Sequence, residues 1–552
     1  MLYEPSASDA CVPGGSLASA ECSLFAGVYV SISKEEHIRL KCEAAYWHGR
    51  HQQALHRESV LKEKIEALEA RVRDLVQRLF GRRSEKGTTD SEQQGAPTSR
   101  PRRPRGQQRN TAGHGRTSLA HLPVREQQPI DLNPEAQCCP KCGKTLEGLP
   151  GSDDSEVVEI EVQAYRRRIQ RRRYRPTCGC EVLPGIVSAP APPRLIRRGK
   201  LGISIWVEVI LAKYLYAQPL NRLLQSWATL GLKISSGTII GGLRHLIPLF
   251  RPVLKAFQGR QLTEGYCHAD ETGWKVFAAI EGKVGHKWYL WVIRTDCAMV
   301  YVMSPGRGAS VPMEYFSGLL VQTILVCDRY GAYKKCARTI GILLAFCWAH
   351  CRRDSLELAR SYPPLRDWAM GWVERIGTLY HLNGLRLQVR EDAVLFAWRD
   401  ADLRAHLEQM REECECALAD PGLHRAARKV LMSLKRHWEG LTIFVERPEI
   451  RMDNNRAEAA LRNEVLGRKA YYGSGSVWAA ELAAQLFSVL MTLVHCWQIN
   501  PRRWLQEYLE ACAQNGGRAP HDLSAFLPWT MTPHRLAQLR EPAACIPRAN
   551  TS

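Results

Sequence analysis

A chain of 552 residues is too long for one hydrophobic core, so several folded units are expected. Its apolar share of 45% and charged share of 24% are those of ordinary folded protein, which excludes a chain disordered or fibrous throughout. With 76 Lys and Arg against 56 Asp and Glu, the net charge of +20 makes a polyanion the natural partner. The 19 cysteines follow no disulfide-like spacing, which points to a reducing compartment. Glu4 and Asp9 come early and no basic segment precedes an apolar stretch, so no secretory signal is read. No run is seen to approach the ~20 apolar residues of a membrane span. A cytoplasmic protein without a membrane partner is expected.

In chain order, residues 1–32 are small and polar and are expected to be disordered. Ser33-Lys34-Glu35-Glu36 reads as a capping box that opens a long helix over 33–81. Leu61, Ile65, Leu68, Val72, Leu75 and Leu79 step by four and three alternately, the seam of a coiled coil through which two or more copies could assemble. An amphipathic helix packed on its own chain would show the same pattern. Residues 82–125 read as a flexible basic linker, with six Arg and no acid over 100–116. A cysteine cluster then marks a small module over 126–184. Cys139 and Cys142 form one half of a zinc knuckle, and Cys178 and Cys180 are the proposed second half of a closed structural Zn²⁺ site. That second half is Cys-x-Cys, which leaves the fourth ligand open to Cys138 or a nearby His, and leaves standing the alternative of free buried thiols. Arg166, Arg167, Arg168, Arg171, Arg172 and Arg173 form a basic block suited to phosphate neutralisation, although a solvated charged face would look alike.

Residues 185–262 read as helical: Ile203 to Tyr216, Pro219 to Leu230, a turn at Gly231, then a helix capped by Ser235. Helix, turn and capped helix resemble a helix-turn-helix, a pattern that ordinary helical bundles share. From 263 the pattern turns to strands, at 266–270, 287–294, 299–303, 321–328 and 343–347, the first three as an antiparallel meander. A charged helical stretch over about 354–447 interrupts this core, which is taken to extend to 476. Residues 477–552 read as a helical, apolar C-terminal segment.

Three acids carry the candidate chemistry. Asp270 and Asp328 each end a short apolar run, where a carboxylate would point into the crevice at the carboxyl end of a sheet. Glu458 opens a helical stretch and competes with Glu464 and Glu481. Two such carboxylates and a third on a helix make an oxygen site for hard divalent cations. Asp at a strand end also commonly caps a turn, so position alone does not decide. Arg462, one helical turn beyond Glu458, with Arg468 and Lys469 further on, could meet phosphates beside the site.

Four segments, His268-Ala269-Asp270-Glu271-Thr272, Cys327-Asp328-Arg329-Tyr330-Gly331-Ala332-Tyr333, Trp348-Ala349-His350-Cys351-Arg352-Arg353 and Asn454-Asn455-Arg456-Ala457-Glu458, follow in the order of the insertion-sequence-66 family of transposases, which the chain resembles from about residue 33 to 529. The resemblance implies a multidomain α+β protein with a ribonuclease H-like α/β catalytic core, the helical insertion, and Asp270, Asp328 and Glu458 as a D-D-E triad. It implies two Mg²⁺ per active site, replaceable by Mn²⁺, bridged by Asp270 with Asp328 and Glu458 completing their shells. One ion would activate water to cut at a transposon end, and the freed 3′-OH would attack target DNA; a catalytically inactive DNA-binding regulator derived from a transposase and a metal-dependent DNA nuclease are the alternative readings. Transposon inverted repeats, target DNA, a second copy of the chain and helper proteins of the same element are the implied partners. The family also singles out His350, Arg352 and Arg353, for which phosphate contact and a structural role stay equally open.

Overall fold

The computed structural model describes residues 31–80, 133, 137, 140–142, 144–146, 162–175, 186–319 and 321–541. The chain divides into two units, residues 82–168 and the remainder, 1–81 with 169–552. In the smaller unit the Leu146 amide donates to the Gln137 carbonyl (2.7 Å) around a turn at Pro140–Cys142. Cys142 carries an exposed free thiol. Cys138, Cys139, Cys178 and Cys180 lie outside the described residues, as do residues 1–30 and the expected basic linker. Arg166, Arg167 and Arg168 are exposed.

The larger unit opens with α1 (Lys34–Phe80). The Ser33 hydroxyl caps it by accepting from the Glu36 amide (3.1 Å), while the Glu36 carboxylate turns to Arg39. One side of α1 docks on its own chain: Ala70 is buried, Arg73 donates to the Ser361 carbonyl (2.7 Å) and Arg78 pairs with Glu357 (3.2 Å). The heptad side is open. Leu61, Ile65, Leu68, Val72, Leu75 and Leu79 are all between 47% and 73% exposed.

Arg171, Arg172 and Arg173 follow as an exposed segment, and Arg173–Tyr174 forms a short strand, β1, antiparallel to β2 (Val187–Ser188). Helices α2 (Ile203–Ile210), which runs into a π-helical turn at Leu211–Leu215, α3 (Leu220–Thr229) and α4 (Ser236–Gln261) come next. The expected Ser235 cap is formed, its hydroxyl accepting from the Thr238 amide.

A five-stranded sheet forms the centre: β3 (Tyr266–Lys275), β4 (Lys287–Arg294), β5 (Met299–Ser304), β6 (Ile324–Cys327) and β7 (Leu343–Phe346), in the order β5-β4-β3-β6-β7. The first three are antiparallel and β6 and β7 run parallel to β3. Between them lie α5 (Ser310–Phe316) and α6 (Gly331–Ile340). β3 is longer than the sequence suggests. Its second half, Glu271–Lys275, is polar but stays in the ladder with β4, because Glu271 finds Arg307 and Tyr333 as partners.

After β7 come α7 (Trp348–Ser361), α8 (Arg366–Gln388), α9 (Ala393–Ala419), α10 (Arg425–Arg436) and α11 (Trp438–Glu446), then the short α12 (Asn455–Ala460) and α13 (Arg462–Tyr471). Arg386 pins the intervening helices together from a fully buried position, bonded to Asp400 (2.5 Å), Asn383 (2.9 Å) and the carbonyls of Phe444 (2.9 Å) and Val445 (3.1 Å). Helix α14 (Val477–Met491), continued by a π-helical turn to Cys496, is followed by α15 (Pro501–Gln514) and α16 (Pro533–Arg540).

Contrary to the sequence reading, Val477–Cys496 is long and apolar enough to cross a membrane by composition. It serves instead as a core helix: 72% of its most apolar stretch is buried, and it covers the open edge of β5. Ser488 accepts from the Tyr301 amide and Thr492 from the Met299 amide, both at 2.8 Å. Edge amides that would otherwise template another strand are thereby occupied.

Candidate active site

Two adjacent parallel strands bring the first two acids together. The register pairs His268 of β3 with Val326 of β6. Asp270 lies two residues on, inside β3 and not at a strand end as the sequence suggests, while Asp328 directly follows the last residue of β6. Each carboxylate is oriented by a local amide: Asp270 Oδ1 accepts from Glu271 (2.9 Å) and Asp328 Oδ1 from Tyr330 (2.9 Å). Burial, then the charge of Glu271, with Glu458 and Asp328 adding, pushes the Asp270 carboxyl up to about 7. Asp270 thus feels the charges of both other acids.

Glu458 reaches the site from α12. It shares a cleft of about 590 Å³ with Asp270, Thr272, His350, Arg353 and Arg462, walled on one side by Leu461, Val465 and Leu466. Asp328 stands next to this group without lining the cleft itself. Arg353 Nη2 lies 3.6 Å from Glu458 Oε2, and His350 Nε2 lies 3.7 Å from Glu458 Oε1. That Oε1 is buried and has no hydrogen-bond partner. Burial, then the neighbouring Arg353, holds His350 below the usual imidazole range, so its ring is neutral near pH 7. Among the described residues, the one trio of His, Cys, Asp or Glu ligand atoms within 4.8 Å of one another is Cys347, His350 and Glu458, so the three acids are spaced more widely than that.

Helix α12 ends at Ala460 and α13 begins at Arg462, so Arg462 is not on an unbroken turn after Glu458, although it lines the same cleft. Arg468 faces β3, donating to the Gly273 carbonyl and to Thr272 Oγ1 (3.3 Å), while Lys469 is exposed. Arg352 is half-buried and Arg353 exposed on α7. Glu271 is not free for chemistry: its side chain is 1% exposed, paired with Arg307 and accepting from the Tyr333 hydroxyl (2.7 Å).

Sequence reasoning missed the framework behind Glu458. Asn454, fully buried, donates through Nδ2 to the Ala269 carbonyl (2.8 Å), and its amide donates to Cys347 Sγ (3.2 Å). Its Oδ1 therefore accepts from His268 Nδ1–H (3.0 Å), leaving His268 Nε2 to accept from the Tyr266 hydroxyl (2.7 Å). The available signal was a pair of polar residues, His268 and Asn454, inside segments otherwise apolar or tightly turned.

Asp270 inside β3, Asp328 just past the parallel β6 and Glu458 on α12 are a set of carboxylates of the kind that can bind hard divalent cations. Residues 198–482 match the profile of the transposase IS66 family, and the chain belongs to that family. It is similar to two uncharacterized proteins of Sinorhizobium fredii (strain NBRC 101917 / NGR234). Protein y4hP is 26% identical over 438 residues, 74% of this chain and 77% of its own, and y4jD is 25% identical over 444 residues, 76% and 82%.

Proposed function

We propose that this transposase-family chain is a D-D-E enzyme that cleaves DNA at transposon ends and transfers the freed 3′-OH to target DNA. The observation that carries the reading is Asp270 in β3 with Asp328 directly after the neighbouring parallel β6, and Glu458 returned to the cleft that Asp270 lines. The sheet order β5-β4-β3-β6-β7, three strands antiparallel and two parallel, supports the reading of a ribonuclease H-like core. Asp270, Asp328 and Glu458 would hold two divalent cations, Mg²⁺ or Mn²⁺. The fit is supported by the orphaned, buried Glu458 Oε1 and by an Asp270 carboxyl whose ionisation waits on added positive charge. Bound there, such ions supply Lewis-acid stabilisation of the phosphate and of its attacking and leaving oxygens.

The chain's own residues do the rest. Asp270 and Asp328 are oriented by their amide bonds, and Arg353 and Arg462 line the approach with positive charge for the DNA backbone. The exposed Arg166–Arg168 and Arg171–Arg173 suit contacts farther along the duplex. The open heptad side of α1 suits a second copy of the chain, which pairing of two DNA ends requires. A Zn²⁺ held by Cys139, Cys142, Cys178 and Cys180 remains part of the proposal.

The test is substitution of each acid, Asp270→Asn, Asp328→Asn and Glu458→Gln, in the full chain. Cleavage and joining should fall to background in all three while binding to end DNA stays near wild type. A variant that still cuts at the wild-type rate removes that acid from the triad.

A further inference from the structure

His350 is set apart from the acids by chemistry and joined to them by position. It sits in the first turn of α7, and that turn is firmly held. Trp348 is fully buried, its indole donates to the Leu441 carbonyl (2.7 Å) and its amide to the Met452 carbonyl (2.9 Å). The ring therefore has little freedom to leave Glu458. Yet the two side chains do not bond to each other. The Nε2–Oε1 separation of 3.7 Å exceeds a hydrogen bond, whose N···O distance is roughly 2.7–3.2 Å. It is close to the spacing of two atoms that bind one ion at about 2.0–2.2 Å each, which at open coordination angles lie roughly 3–3.7 Å apart.

The orphaned Glu458 Oε1 points the same way: a buried carboxylate oxygen with no donor is in want of positive charge. Arg353 approaches the other oxygen, Oε2, and leaves this one open. Cys347 completes the trio by distance, but its sulfur already accepts from the Asn454 amide and burial pushes the thiol up to about 11. It acts as a joint between β7 and α12, and the ligand set is one imidazole nitrogen with carboxylate oxygen.

We propose that His350 Nε2 and Glu458 Oε1 together ligate one divalent ion of the active site, and that this position takes a borderline transition ion such as Mn²⁺ in preference to Mg²⁺. An imidazole shifts selectivity that way, because Mg²⁺ favours oxygen donors while transition ions accept nitrogen readily. The inference rests on the reading of Glu458 as a metal ligand made above, and adds His350 to it.

The experiment uses Mn²⁺ alone and full-length protein, and reads the bound ion by electron paramagnetic resonance without DNA or turnover. Wild type should bind Mn²⁺ with a resolved ¹⁴N coupling. His350→Gln should lose that coupling and bind Mn²⁺ roughly tenfold or more weakly, with Mg²⁺ competition changed much less. His350→Glu, which offers an oxygen near the place of Nε2, should regain affinity without the nitrogen signal, and this separates lost ligation from lost folding. Bound Mn²⁺ with no nitrogen coupling in wild type, or a coupling that survives in His350→Gln, overturns the His350 assignment and leaves the acidic triad standing. Failure of wild type to bind Mn²⁺ any better than Asp270→Asn overturns the metal reading of the triad itself.

Discussion

Glu464 provides the sharpest test of how the site's supporting helix is packed. It is the third residue of α13, is 0% exposed, and neither carboxylate oxygen has a hydrogen-bond partner. The nearby Tyr301 hydroxyl is committed to the Ala460 carbonyl (2.6 Å). Burial raises the Glu464 carboxyl from 4.5 to about 8. The folded chain therefore holds a proton that the unfolded chain releases above pH 4.5, and the native state loses stability as pH rises until about 8, where the folded group also ionises. At pH 7 the gap is 2.5 pH units from 4.5, which at about 1.4 kcal/mol per unit costs about 3 kcal/mol. Glu464→Gln removes this cost. Its advantage over wild type should be near zero at pH 4.5, grow to about 3 kcal/mol at pH 7 and level off above pH 8. Thermal unfolding of both proteins by scanning fluorimetry between pH 5 and 9 measures it, as a gap in Tm that widens by several degrees. A gap that does not change with pH, or a variant less stable than wild type at pH 8, would show that Glu464 is charged and paired in the folded protein.

Arg386→Met should destabilise the fold by about 3–5 kcal/mol, since removing one member of a buried, bonded charge cluster strips the donor from two buried carbonyls and from Asp400 Oδ1, leaving Asp400 only its bond from Arg404. Urea unfolding, with proteolysis mapped to the helical region, checks this. Leu68→Glu with Leu75→Glu should lower the particle mass in light scattering and abolish paired-end complexes while single-end binding survives; unchanged mass would mean the open heptad side has no partner copy. Because the free Asp270 carboxyl sits at about 7, Mn²⁺ binding should weaken as pH falls through 7 and release a proton when made at pH 6, measurable by calorimetry in buffers of different ionisation enthalpy. Asp270→Asn should show no such proton.

Where apolar runs and caps are local, the sequence carried the structure. The strands at 287–294 and 299–303, the antiparallel order of the first three and the Ser235 cap all follow from side chains within a few residues of one another. Where polar residues are stabilised from afar, it did not. The second half of β3 depends on Arg307 and Tyr333 for Glu271. The break between α12 and α13 leaves no mark in the helical pattern. Apolar composition at 477–496 says long and buried without saying in what. Ser488 and Thr492, which bond the edge of β5, turn the ambiguity toward a core helix only once their partners are known. The candidate acids were legible because the ends of apolar runs and the order of the motifs mark them, but that spacing says nothing of what holds Glu458 in place, nor that β3 continues past Asp270.

That hold is a chain of neutral groups. The Arg451 amide donates to the Tyr266 oxygen, the Tyr266 hydroxyl to His268 Nε2, His268 Nδ1–H to Asn454 Oδ1, and Asn454 Nδ2 to the Ala269 carbonyl, one residue before Asp270. Burial holds His268 down to about 3, so the ring stays uncharged across the physiological range and every proton in the chain has one assigned direction. Asn454 is the residue from which α12 starts, and its amide also grips Cys347 at the head of α7. The helices that separate Asp328 from Glu458 are thus closed off by bonds that tie α12 to the strand bearing Asp270 and to the turn bearing His350. An acid contributed from so far along the chain can act with the other two only if its approach is fixed in this way, and a network without charge fixes it without adding a competing cation or anion beside the three carboxylates.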